Sequence, residues 1–193
     1  MPDAINPYQP PQTDLVAEGA RRDGLTWFSV SVPKLLVMSV LTLGLYRWYW
    51  FYKNWCVVRD QRGESVSPFW RSVFFVFFAY SLFTRMRVDA VERDQPVSWT
   101  AGGQAGLLFL AAIADNILSR GHVLDGMGLA GFIFIVLPVV AGTLPLTIVQ
   151  GSLNALNGDP DGSANRGYTP GALVISLVGL SLWGLVALGM ALS

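Results

Sequence analysis

Apolar residues along this chain are gathered into long blocks separated by short polar stretches, and block length decides what each can be. The first block runs from Lys34 to Tyr52, aliphatic as far as Leu43, dense in tyrosine and tryptophan afterwards, with Thr42 to Gly44 dividing the halves. Pro33 suits the first turn of a helix. Lys34 to Leu43 then covers about 15 Å at 1.5 Å per residue, half of the bilayer's hydrocarbon. A helix that continues through Gly44 to Tyr52 crosses the membrane. One that breaks at Thr42 to Gly44 turns back, provided that protein covers the broken backbone. Ahead of the block, Phe28, Val30 and Val32 alternate with Ser29 and Ser31, the pattern of a short extended piece at the interface. A second block, Phe69 to Phe83, follows Pro68 and carries Arg71 near its start; at 15 residues it sits at the lower edge of a span and fits a re-entrant or tilted interfacial segment equally.

Three further blocks are long enough to cross: about 104–119, 127–149 and 171–192. Asp115 and Asn116 lie near the end of the first of these. The next is interrupted by Pro138, Gly142 and Pro145, which predicts a kink. It runs out into Gln150, Asn154 and Asn157, spaced i, i+4 and i+7, one polar stripe if the helix continues. The predicted fold is an all-α polytopic membrane protein of three to five spans, the first two blocks crossing or re-entrant. Its expected organisation is a disordered proline-rich cytoplasmic tail (1–24), an aromatic-rich embedded module (25–103) and three transmembrane helices (104–193).

Composition sharpens this reading. Hydrophobic residues make up 52% of the 193, and the single Cys56 excludes an intrachain disulfide or a cysteine cluster. A formal net charge of zero gives no reason to expect nucleic acid. Residues 1–24 lack the apolar core of a signal peptide, so a retained N-terminus is expected. If all five blocks cross from a cytoplasmic N-terminus, Lys53, Arg59 and Arg62 fall outside, against the positive-inside bias. If the first two dip in and return, those residues join Arg21, Arg22, Arg85, Arg87, Arg93 and Arg166 inside, leaving Arg120 outside. The re-entrant path is therefore preferred. Both paths put the C-terminus in the periplasm.

The run Gly44-Leu45-Tyr46 and Tyr49-Trp50-Phe51-Tyr52-Lys53-Asn54-Trp55, with Ser67-Pro68-Phe69-Trp70-Arg71 downstream and Asn6-Pro7-Tyr8-Gln9-Pro10-Pro11 upstream, resembles a family of small bacterial multi-pass membrane proteins known as a domain of unknown function. The resemblance covers residues 30 to 85 well and the remainder in outline. It implies a bacterial cytoplasmic (inner) membrane and transfers no catalytic or binding residue.

Candidate chemistry is sparse. Asp115 and Asn116 stand out because an ionisable group in hydrocarbon is costly and usually has a partner or a pathway role; a partner such as Arg120 is within reach. Arg47 and Arg71 lie among aromatic residues, where a guanidinium stacks or snorkels, and they are candidates for a basic pocket between them that takes anionic lipid headgroups. Asn157, Asp159, Asp161 and Gly162 match positions of a calcium loop, but Tyr168 stands where a bidentate glutamate belongs, and an Asx turn explains them better. The only histidine, His122, assembles no triad, and Gly102, Gly103 and Gly106 make no dinucleotide fingerprint. No catalytic residue, metal site or cofactor is expected. Ala172, Ser176, Gly179, Gly184, Ala187 and Ala191 lie loosely along one side of the last block, suited to packing within the chain, to self-association or to a membrane-protein partner. The expected function is a non-enzymatic scaffold or accessory protein acting through lipids or proteins. A small oligomeric transporter or channel, with Asp115 and Asn116 near its pathway, is the alternative, and an intramembrane enzyme a third.

Overall fold

The computed structural model describes residues 26–120, 129–168 and 170–192. The tail expected over 1–24, and His122 with its loop, lie outside the described residues. Those described form seven α-helices: α1 (Val32–Leu41), α2 (Leu45–Arg62), α3 (Pro68–Val73), α4 (Phe75–Glu92), α5 (Ala101–Arg120), α6 (Leu129–Leu156) and α7 (Pro170–Leu192). Three stretches are long and apolar enough to cross a membrane: Ala101–Leu118, Ile133–Leu156 and Ala172–Gly189. Only 22% of the first and 17% of the last is buried within the protein. Their outward faces carry Leu107, Leu110, Ile117, Leu173, Leu177 and Leu185, all exposed, an arrangement that is stable against lipid and not against water.

The first block breaks where its sequence permits it. Leu43 and Gly44 both adopt positive φ, 51° and 85°, and the Gly44 amide closes on the Ser39 carbonyl at 2.7 Å. A glycine makes this cheap at one of the two positions. Thr42 ties the helices together, its hydroxyl donating to the Met38 carbonyl and accepting from the Tyr46 amide. The chain then reverses. Tyr49 packs edge-on against Phe28, and Gln61, at the end of α2, bonds to Thr26, ahead of α1. The hairpin thus enters and leaves at one end of the molecule, called here the polar end.

A second reversal follows at Phe74. Phe75 stacks on Phe51 at 5.0 Å, well down α2, whereas Arg85 pairs with Glu64 in the loop before α3 and Asp89 accepts from the Trp27 indole. So α3 leads in and α4 returns to the polar end, where Arg93 reaches the last carbonyl of α6, that of Leu156. From there α5 leaves, α6 comes back and α7 leaves again.

Aromatic residues in α2 are sorted by helical face. Trp50, Phe51 and Trp55 are fully buried, whereas Trp48, Tyr49 and Tyr52 are exposed. The buried set joins Trp27, Phe75, Phe83 and Trp99 in a continuous core, so only half of this aromatic run is available as an interfacial belt. The extended piece before α1 packs inside the protein: Trp27 and Val30 are 1% and 0% exposed, because polar side chains of the core take up its backbone. One expectation shifts. The fourth block does not stop at Val149, and α6 continues through Pro138 and Pro145 as one helix to Leu156, carrying its polar stripe inward with it.

Candidate functional site

Backbone N–H and C=O groups buried away from water need partners. Residues 26–30 belong to no helix or sheet, and six side-chain amides serve them instead. Asn157 accepts from the Trp27 amide at 3.0 Å and donates to the Trp27 carbonyl at 2.7 Å. Gln150 donates to the Phe28 carbonyl, Asn154 to that of Val30 and Asn165 to that of Ser29. Asn54 accepts from the Phe28 amide and Gln61 from that of Thr26. Gln150 also accepts from the Trp50 indole at 2.6 Å, which holds its amide in register. The stripe at 150, 154 and 157 is therefore a clasp.

The residues resembling a calcium loop have other duties. Asn157 belongs to the clasp, and Asp159 accepts from the amides of Ser163 and Ala164 and from the Ser163 hydroxyl. Those bonds hold its carboxyl below the ordinary aspartate value. The turn they stabilise brings Gly162 against Ser31 and Asn154, closing the loop over the extended segment.

Of the charged candidates, Arg47 and Asp115 are brought together and Arg71 stands apart. Arg47 starts from the deep end of α2 and lies against Gly142 of α6, where any side chain would collide with its guanidinium, and near Ala111 of α5. It is within electrostatic range of Asp115, an attraction that lessens the cost of its charge in hydrocarbon. Arg71 instead stacks over Trp55 at 4.4 Å and lies near Phe78, surroundings that share no residue with those of Arg47. Asn116 is exposed and lines a shallow depression with Val76, Phe109 and Ile113.

On α7 the small residues divide. Ala172, Ser176 and Gly179 face inward: the Ser176 hydroxyl approaches the Met38 sulfur at 3.4 Å, and a side chain at Gly179 would meet the Leu41 carbonyl. Trp183 completes this contact by donating to the Val40 carbonyl at 2.9 Å, which also accepts from the Leu43 amide. Gly184 and Ala187 are exposed.

Beside this contact a groove of about 520 Å³ runs between α1, α2 and α7, walled by Met38, Leu45, Ile175, Val178 and Leu182, with Thr42 and Tyr46 at its depth and Lys34 at its head. Lys34 is 5% exposed. Its ammonium donates to the Asn165 carbonyl (3.2 Å), the Asn165 side-chain oxygen (2.7 Å) and the Gly167 carbonyl (2.7 Å), and lies 5.6 Å from the Tyr168 ring centre. Burial lowers its pKa from the ordinary lysine value. Sequence reasoning passed over Lys34, since a lysine at the start of an apolar block reads as a surface charge and its partners lie some 130 residues further on. Comparison with protein-family models, with characterised proteins and with solved structures returns no match.

Proposed function

We propose that the protein is a multi-pass component of a bacterial cytoplasmic membrane that performs no chemistry and acts through contacts with lipids or membrane proteins. The observation that carries this reading is where its buried polar groups point. An enzyme of the membrane interior needs a polar cluster directed at a substrate. Among the described residues, the polar cluster formed by the amides of residues 54, 150, 154, 157 and 165 ends on the chain's own backbone. What faces outward is apolar and aromatic: Trp48, Phe69, Trp70, Phe77, Leu177 and Leu185. The bacterial assignment rests on the resemblance of the Gly44 to Trp55 run.

The polar end is the cytoplasmic one in this reading. Loops 63–67 and 93–100 and the end of α6 meet there, together with Arg59, Arg62, Arg85, Arg87 and Arg93, which leaves the C-terminal end of α7 periplasmic. Photo-crosslinking groups at Trp48, Leu177 and Leu185 test the proposal in intact membranes. Discrete adducts with a lipid class or a protein are expected, and a diffuse pattern following bulk lipid composition would count against it.

The electrostatic proximity of Arg47 on α2 to Asp115 on α5 favours transport as a second reading. Asp115→Asn and Asp115→Ala, reconstituted in vesicles, decide it: loss of a solute flux with insertion retained supports transport, and unchanged behaviour removes its main support.

A further inference from the structure

Lys34 heads not one cavity but two. Below it lies the apolar groove walled by Met38, Ile175 and Leu182. Beside it a second cavity of about 500 Å³ is lined by Ser31, Pro160, Asp161, Arg166 and Tyr168. Each is of the size that takes a small-molecule ligand, and they share Lys34, so together they form one site with an apolar part and a polar part. The span from Lys34 to Thr42 along α1 is about 12 Å, close to the depth of one leaflet's hydrocarbon. Walls at Leu45, Ile175 and Val178 are half exposed, which leaves the groove open sideways, towards lipid.

Charge selects among the amphiphiles that this shape admits. Arg166 and Asp161 both line the second cavity, and Arg166 acts electrostatically on Asp159. Lys34 has neutral acceptors only, and among the described residues no carboxylate pairs with it. Carbonyl oxygens solvate an ammonium without neutralising it, so Lys34 keeps its positive charge at the junction of the two cavities, next to the positive end of the α1 dipole. We propose that this site holds an anionic phospholipid of the leaflet at the polar end, its phosphate in the second cavity within the field of the Lys34 charge and an acyl chain along α1 past Met38 to Thr42. The assignment rests on the reading of the protein as one that acts through lipids or proteins, and makes the lipid part of it specific.

The test uses the full-length protein, reconstituted in vesicles of equal parts phosphatidylglycerol and phosphatidylethanolamine, with retained lipid read by native mass spectrometry after mild extraction. The wild type is expected to keep one phosphatidylglycerol in preference, and Lys34→Arg to do the same. Lys34→Gln should lower that preference about fivefold or more, the size of one lysine's attraction to anionic lipid. Ile175→Trp, which fills the groove from α7 and leaves the charge in place, should lose bound lipid of both classes while keeping its thermal transition. If Lys34→Gln does not fold, Ile175→Trp decides: lipid retained by a folded Ile175→Trp overturns the site. Selectivity unchanged in a folded Lys34→Gln overturns it as well, while lipid held without selectivity leaves the broader reading intact. A wild type that keeps no lipid and gives no discrete crosslinks loses both.

Discussion

At the scale of single residues, the fold depends on side chains that stand in for a neighbouring strand. Asn154, fully buried, donates to the Val30 carbonyl at 2.9 Å and accepts from Gln150 at 2.6 Å. Asn154→Ala strands both groups, and a buried polar group without a partner costs about 1–3 kcal/mol. The expected outcome is a lower thermal midpoint in detergent together with faster chymotryptic cleavage at Trp27 and Phe28, whereas a change in neither would show that the clasp bears no load. Glu64 offers a pH-dependent counterpart. Its hydrogen bond to Arg85 holds the carboxyl below the ordinary 4.5, so the folded state binds its proton less readily than the unfolded chain. The stabilisation is complete above that ordinary value and disappears as pH falls through the lower folded one. Both side chains are about a quarter to a third exposed, which limits the effect to roughly 0.2–1 kcal/mol. Glu64→Gln should flatten the dependence of the thermal midpoint on pH across that window, and an unchanged profile would assign the acid sensitivity elsewhere.

At the scale of elements, what the sequence disclosed and what it withheld follow from the range of the interactions involved. The Thr42 to Gly44 break is local: a glycine at positive φ and a threonine that caps one helix while starting the next are written in consecutive residues, so the reversal was legible. The stripe at Gln150, Asn154 and Asn157 was legible as a pattern, but its partner was not, because the partner is the backbone of residues 26–30 and a backbone leaves no mark in the side-chain sequence. Arg47 and Asp115 were each visible as costly charges; their proximity required knowing that Arg47 of α2 and Ala111 of α5 both approach Gly142 of α6. The small-residue side of α7 shows the same division. Spacing alone joins Gly179 and Gly184 in one surface, whereas a side chain at the first meets the Leu41 carbonyl and at the second meets nothing within 4 Å. Gly179→Leu should therefore cost about 1–3 kcal/mol, the usual range for overpacking, and Gly184→Leu at most about 0.5 kcal/mol, as at an unconstrained surface position. Thermal melts of the two variants in one detergent make the comparison, and equal losses would mean that α7 does not pack on α1 through Gly179.

At the scale of the whole molecule, the two paths allowed by the charge pattern differ in one relation that holds whichever way the protein is inserted. If the first two blocks each crossed, the loop before Pro68 and the loop after α6 would lie on opposite sides of the membrane. Here they share a side: Gln61 bonds to Thr26 and Asn157 to Trp27, two adjacent residues, and a bilayer's hydrocarbon of about 30 Å cannot separate partners so close. Lys53, Arg59 and Arg62 thereby join Arg85, Arg87 and Arg93 at one end, and the charge pattern that conflicts with five crossings agrees with three. Cysteines placed singly at Ser65 and Gly158, in a Cys56→Ser background, turn this relation into a measurement that reads the same for either orientation. Ser65 and Gly158 are both exposed, so a membrane-impermeant thiol reagent should treat them alike, labelling neither in intact spheroplasts and both after permeabilisation if the polar end is cytoplasmic. Labelling of both in intact cells would reverse the orientation and keep the fold. Labelling of Ser65→Cys alone would require α1 and α2 to cross the membrane as one continuous span, which the bond between Gln61 and Thr26 forbids.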